Sequence, residues 1–310
     1  MNKKAASGSI STTLNPKREL TQPPRYNSPE EAARIYLLPN LFTAGNMLCG
    51  FLAIKECIEA RFTTDDPNLS ASHYVWAVWF ILFACLCDLF DGRVARATHR
   101  ESLFGAEFDS IADTVSFGVA PALMACFLII NPGVNDDIKL VTWLLAFIYL
   151  LCVGVRLARF NVLTNPLVPG NEKRAAGGDF VGLPSPAAAG VMASLVLVLS
   201  KIMVTPGTKP EAYTSWSWAL LPLMLIISYL MVSNVRFPSL KKVDWNTKTR
   251  SRGFILIILV AVAAIRFREF ALLAVFLGYI CWGVVRHFFL LRKGEIDPAP
   301  EDEDENEPTV

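Results

Sequence analysis

Charge is scarce in this chain and favours neither sign. Only 18% of its 310 residues are Asp, Glu, Lys or Arg, and 29 basic against 28 acidic side chains leave a net charge of +1. That balance gives no polyanion-binding character, so nucleic acid is excluded as a partner. Histidine is rarer still: the three, at positions 73, 99 and 287, stand singly at the ends of apolar runs and read as interfacial. The seven cysteines are an odd number, and Cys49, Cys85, Cys87, Cys126, Cys152 and Cys281 lie within apolar runs, which argues against a secreted disulfide framework. Cys85 and Cys87 form a CxC with no second pair, a poor zinc site. There is no internal repeat and no nucleotide-binding glycine loop. Residues 1–27 hold no apolar run, so neither a signal peptide nor a stable fold is expected there.

What is abundant is apolar surface. Residues of the AVILMFWYC set make up 53% of the chain and its mean hydropathy is +0.40, which excludes a disordered chain. The apolar residues gather into eight runs, at about 37–54, 72–87, 103–130, 140–155, 181–204, 216–232, 254–265 and 271–291. A bilayer core of about 30 Å needs about 20 helical residues, so the second, fourth and seventh runs must be completed by polar ends or by tilt. With the N-terminus inside, 22 of the 29 Lys and Arg fall in inner segments and seven in outer ones, the alternation that membrane insertion favours. The expected architecture is therefore an all-α polytopic membrane protein of about eight transmembrane helices with both termini cytosolic.

The expected organisation follows. Residues 1–27 form a disordered cytosolic arm, and 28–38 an interfacial helix opened by the capping box Ser28-Pro29-Glu30-Glu31 and ended as Pro39 turns the chain inward. Residues 37–232 form a six-helix core and 233–253 a basic cytosolic loop. Two further spans occupy 254–291, and 292–310 is an acidic solvated tail. Pro184 and Pro186 are expected to bend or delay the fifth span and expose backbone carbonyls.

Four carboxylates stand where hydropathy disfavours them. Asp88 and Asp91 sit at the inner end of the second run, and Asp109 and Asp113 within the third. An ionised side chain at span centre costs about 2.5–3.5 kcal/mol on insertion scales, so such groups face a polar cavity and mark function. The i, i+3 and i, i+4 spacings put each pair on one helical face, and a short connection near 98–101 would bring the pairs together. Hard oxygen ligands select Mg²⁺ or Mn²⁺, with Ca²⁺ also fitting, and four carboxylates can hold two ions of the kind that serve in-line phosphoryl transfer. Gly92 and Gly105 let a base or phosphate approach the backbone, and Arg96 offers a fork of donors to phosphate. Taken singly, helix packing and inner-loop charge explain those three equally well.

Together these residues read Asp88-x2-Asp91-Gly92-x2-Ala95-Arg96-x8-Gly105-x3-Asp109-x3-Asp113. The pattern resembles, without departure, the signature of the CDP-alcohol phosphotransferase family. The resemblance implies a six-helix core, usually dimeric, opening to the cytosolic leaflet, where two divalent ions hold the diphosphate of a CDP-linked lipid and an alcohol displaces CMP. Carried over by position, it makes Asp88, Asp91, Asp109 and Asp113 metal ligands, with Asp113 also the catalytic base. Gly92 and Gly105 would shape the cytidine pocket and Arg96 would contact phosphate.

Further stretches resemble the bacterial-type (type II) phosphatidylserine synthase branch of that family. These are Leu38-Pro39-Asn40-Leu41-Phe42-Thr43 with Asn46 and Cys49-Gly50-Phe51, the segment from Val115 to Pro121, Arg156-Leu157-Ala158-Arg159-Phe160-Asn161, and Gly182-Leu183-Pro184-Ser185-Pro186. This resemblance implies CDP-diacylglycerol and L-serine as substrates in the bacterial inner membrane. A zwitterionic serine calls for cationic donors to its carboxylate and for acceptors to its ammonium. Arg156, Arg159 and Asn161 are candidate serine or phosphate contacts, and Asn40 and Thr43 candidate contacts of the CDP-lipid. Topological charge and a helix start after Pro39 account for the same residues equally well. Two alternatives stay open: the same chemistry on glycerol 3-phosphate or inositol phosphate, and a cation or proton transporter using the aspartates. Against the transporter, all four carboxylates lie near one face, leaving no charged relay to the other.

Overall fold

The structure, a computed structural model, describes residues 37–98, 103–130, 135–164, 180–205, 216–237 and 268–292. The chain is an all-α polytopic membrane protein. Its elements are α1 (Leu37–Phe62), α2 (Pro67–Thr98), α3 (Leu103–Asp113), a π-helical turn (Thr114–Val119), α4 (Ala120–Ile129), α5 (Asp136–Thr164), β1 (Phe180–Val181), α6 (Ser185–Val204), α7 (Leu220–Val232), β2 (Arg236–Phe237) and α8 (Arg268–Arg292). Among the described residues six helices are long and apolar enough to span a membrane, the third being α3, the π turn and α4 in one continuous rod. The 13-residue α7 rises about 20 Å, less than the about 30 Å of a hydrocarbon core. The arm 1–27, most of the interfacial helix, the loop 238–253, the run 254–265 and the acidic tail lie outside the described residues.

Helix ends follow local chemistry. Asp66 receives the backbone N–H groups of Asn68 (2.9 Å) and Leu69 (3.3 Å), and Pro67 takes the first helical position, where its missing N–H costs nothing. The short second run thus grows into a 32-residue helix of about 48 Å. The fourth run extends likewise, to 29 residues. Pro39 does not turn the chain: it lies in the first turn of α1, where proline is tolerated, and the helix runs on unbroken from Leu37. Pro184 and Pro186 do delay α6, which starts at Ser185 with Pro184 as its cap.

Apolar packing sorts the helices into layers. The rod of α3 to α4 and helix α6 are two-thirds buried along their apolar windows, against 11% for α8, whose Trp282, Val285, Phe288 and Phe289 face outward as lipid-facing side chains do. α1 and α2 form an antiparallel hairpin against this centre, α5 pairs with α7, and α8 packs on α6.

One end of the bundle gathers the helix termini that matter. The N-terminus of α1, the C-terminus of α2, the N-termini of α3 and α6 and the C-terminus of α5 meet there. Phe180 pairs with Phe237 and Val181 with Arg236 in a two-residue antiparallel ladder that closes the same end. Gly182 turns the chain out of this ladder with φ +81°, and a Cβ there would lie 2.3 Å from the Met231 carbonyl oxygen, so only glycine fits. Phe237, fully buried, stacks on Tyr279 of α8 (5.9 Å) beside Gly283 and ties the last helix to the ladder.

Candidate active site

The aspartate pairs come from two helices meeting at a short connection. α2 ends at Thr98 and α3 begins at Leu103, so the two helices turn back on each other within a few residues. One carboxylate oxygen each from Asp88, Asp91 and Asp109 lies within 4.8 Å of the other two. Carboxylates gathered this closely repel one another when ionised, and a cation among them relieves the repulsion. Oδ1 of Asp109 is buried with no hydrogen-bond partner. Hard, anionic oxygens converging around an unsatisfied one suit a divalent cation such as Mg²⁺ or Mn²⁺.

Helix α1 supplies the polar wall behind the cluster. Thr43 Oγ1 donates to Asp91 Oδ2 (3.2 Å) and Asn46 Nδ2 donates to Asp113 Oδ1 (2.9 Å). Thr43, Asn46, Asp91 and Asp113 are all buried. The close trio does not include Asp113, which sits one turn deeper than Asp109 and is held from the side by Asn46. The N–H of Gly92 turns back onto Asp91 Oδ1, and Nδ2 of Asn40 is buried and unpartnered. Gly105 is half-buried on α3, and Arg96 lies on the last turns of α2.

The π turn that follows Asp113 has an identifiable cause. Pro121 has no N–H to give the Phe117 carbonyl four residues back, and its ring crowds that carbonyl. The backbone widens over residues 114–119, and Tyr149 Oη of α5 donates to the freed Phe117 oxygen (2.8 Å). Ser116 Oγ, on the same turn, donates to the Asn46 backbone carbonyl (2.9 Å). The turn therefore fixes α1 and α3 relative to each other beside the carboxylates.

The three residues singled out on α5 do different things. Arg156 points inward: Nη1 donates to Ser185 Oγ (2.6 Å), Nε is buried without a partner, and the side chain lies in the field of Asp113 and Asp88. Arg159 is exposed and donates to Asn234 Oδ1 (2.9 Å). Asn161 is spent on Ser110 (2.9 Å) and Glu107 (3.4 Å), tying α5 to α3. Residue patterns alone did not reveal the bonds of Asn46, Ser116 and Ser185. The Phe117 to Pro121 spacing was the available signal for the π turn, but no one-dimensional signal pairs Asn46 with an aspartate 67 positions away.

A bundle of apolar helices with a partly buried carboxylate cluster at one end, backed by a hydroxyl and an amide, defines a membrane protein with a candidate divalent-cation site. The CDP-alcohol phosphatidyltransferase family model matches residues 36–230, and the chain belongs to that family. It is an integral, multi-pass membrane phosphatidyltransferase, which removes the transporter alternative. It is 34% identical over 260 residues to the CDP-diacylglycerol–serine O-phosphatidyltransferase of Helicobacter pylori, covering 84% of this chain and 94% of the relative. The proteins of that name from Bacillus subtilis (30% identical, 66% of this chain and 92% of the relative) and Mycobacterium tuberculosis (28%, 80% and 77%) are similar as well. No solved structure matches the chain at a significant level.

Proposed function

We propose that this protein transfers the phosphatidyl group of CDP-diacylglycerol to the hydroxyl of L-serine, giving phosphatidylserine and CMP, at a site facing the cytosol. The observation that carries the chemistry is the meeting of Asp88, Asp91 and Asp109 within 4.8 Å, with Asp113 buried beside them. The serine acceptor is supported by the name shared by the relatives similar to it over most of the chain. The cytosolic face is supported by the distribution of Lys and Arg, and the inner membrane by the bacterial relatives.

In this reading Asp88, Asp91 and Asp109 hold one or two divalent cations, with Asp113 completing the site. Bound there, Mg²⁺ or Mn²⁺ supplies positive charge to the diphosphate oxygens and to the departing CMP. Asn40, Thr43, Gly92, Gly105 and Arg96 border the CDP-lipid, Asn40 through an amide that has no protein partner. Asp113 accepts the serine hydroxyl proton, the oxygen forms a bond to the lipid-side phosphorus, and the bond from phosphorus to the CMP oxygen breaks. Arg156 offers its free Nε to the serine carboxylate. Arg159 and Asn161, engaged with Asn234 and Ser110, hold α5 in place around it. The acyl chains stay in lipid while the headgroup reaches the carboxylates. A homodimer belongs to the same reading, checked by light scattering of the detergent-solubilised protein.

The test is CMP release by purified protein with CDP-diacylglycerol and Mn²⁺ or Mg²⁺, comparing L-serine, glycerol 3-phosphate, inositol phosphate and no acceptor. Release that needs serine and is abolished by a chelator, with phosphatidylserine identified by mass spectrometry, is the expected result. Release with another acceptor alone would keep the aspartate chemistry and remove serine.

A further inference from the structure

Two buried polar atoms have no partner, one on a residue bonded to Asp113 and one on a residue within its electrostatic field, and they are of opposite kind. The first belongs to Asn46, which is wholly buried. Asp113 as a carboxylate only accepts hydrogen bonds, so the end of the Asn46 amide turned towards it is the nitrogen, at 2.9 Å. The amide oxygen is thereby the other end, and it is buried with no hydrogen-bond partner. The second is Nε of Arg156, a donor.

The residue carrying that oxygen is held firmly. The backbone carbonyl of Asn46 accepts from Ser116 Oγ (2.9 Å). One turn further along α1, Gly50 packs so closely on the π turn that a Cβ would lie 2.7 Å from Ser116 Cα. A buried acceptor is costly to leave unpaired, and one held this rigidly is matched by a donor that comes to it from outside the protein.

We infer that Asn46 recognises the ammonium group of the acceptor alcohol: its Oδ1 accepts from the ammonium while its Nδ2 aims Asp113 at the hydroxyl. This rests on the reading that serine is the acceptor. In serine the ammonium and the hydroxyl are on adjacent carbons, so a group contacting the base that takes the hydroxyl proton is placed to contact the ammonium too. A neutral amide also suits this position, since a further carboxylate would compete with the aspartate trio for cations. Arg156, a cation in the field of Asp113, completes the match to a zwitterion through the carboxylate.

The experiment measures kcat/KM for L-serine and for 3-hydroxypropionate, which keeps the hydroxyl and the carboxylate but lacks the ammonium. A site with a buried acceptor left unpaired by the analogue discriminates strongly, so wild-type protein is expected to prefer serine by at least about 100-fold. Asn46→Ala is expected to lower kcat on both alcohols, through the misaimed Asp113, and to cut the serine preference at least tenfold further, with a raised serine KM. Asn46→Ser, whose hydroxyl still accepts, is expected to restore part of the preference. An equal fall on both alcohols with an unchanged ratio would reduce Asn46 to a positioning residue and overturn the inference. Wild-type protein that uses 3-hydroxypropionate as well as serine would overturn it without any variant, whether or not the variants fold. Absence of serine-dependent CMP release alongside activity on glycerol 3-phosphate is a different result, and it removes the serine reading itself.

Discussion

Thr43 on α1 donates a hydrogen bond to Oδ2 of Asp91 on α2 across 3.2 Å, and both residues are buried. The bond orients one carboxylate of the trio from outside it. Groups that orient ligands in this way are typically worth 10- to 100-fold in metal affinity or activity. Thr43→Val keeps the shape and removes the donor, so the Mn²⁺ concentration for half-maximal activity should rise at least tenfold while activity at saturating Mn²⁺ largely recovers. An unchanged Mn²⁺ titration would show that Asp91 needs no such support.

Asp113 lies outside the trio and is bonded to Asn46, and Asp113→Asn removes the proposed proton acceptor while nearly preserving volume. We expect kcat to fall by about 10²–10⁴, the range for loss of a positioned general base. Mn²⁺ binding by calorimetry should stay within a few-fold of wild type, because Asp88, Asp91 and Asp109 remain. A parallel loss of Mn²⁺ binding would instead make Asp113 chiefly a ligand.

Asp109 carries the buried oxygen without a partner, so Asp109→Ala should abolish activity through the cation rather than the base. The expected signature is loss of tight Mn²⁺ binding together with loss of CMP release. Thermal stability without added metal should be unchanged or higher, because removing one of three converging carboxylates relieves repulsion. A lower melting temperature without metal would mean that Asp109 serves the fold.

Gly50 meets the π turn with no room to spare: a Cβ would stand 2.5 Å from Ser116 Oγ and 2.7 Å from Ser116 Cα. Overpacking of this kind costs about 1–3 kcal/mol, and here it pushes on the bond between Ser116 and Asn46. Gly50→Ala should lower the melting temperature and reduce kcat together. Gly154→Ala, inside α5 with nothing within 4 Å, should leave kcat unchanged and not lower the melting temperature.

Arg156→Lys keeps the charge but removes Nε and the planar fork. A rise in serine KM of at least tenfold, with a smaller change in the KM for CDP-diacylglycerol, is the expected outcome. A larger rise in the KM for CDP-diacylglycerol than for serine would place Arg156 on the lipid's phosphate instead.

Much of the architecture was legible because membrane burial writes itself into one dimension. Apolar runs must approach bilayer length, and charge costs too much in hydrocarbon to be placed at random. The α-helical class, most spans and the exceptional standing of the four aspartates follow from those two constraints. Helix ends were less legible: the polar ends of α2 and α5 do not register as apolar runs, and Pro39 signals a turn to a reader unaware that it lies in a first turn.

The sequence by itself determined which residues are the candidates for the chemistry, since spacings of three and four put each aspartate pair on one helical face. Only the tertiary structure decided how those residues are arranged and what each one touches. Asp88, Asp91 and Asp109 converge while Asp113 is handed to Asn46, and Arg156 turns inward while Arg159 and Asn161 bind neighbouring elements. Helical periodicity fixes direction within one helix, whereas contacts between helices depend on packing, here on the absence of a Cβ at Gly50 and on a carbonyl freed by Pro121. That packing acts between residues far apart in the chain, so no local pattern records it.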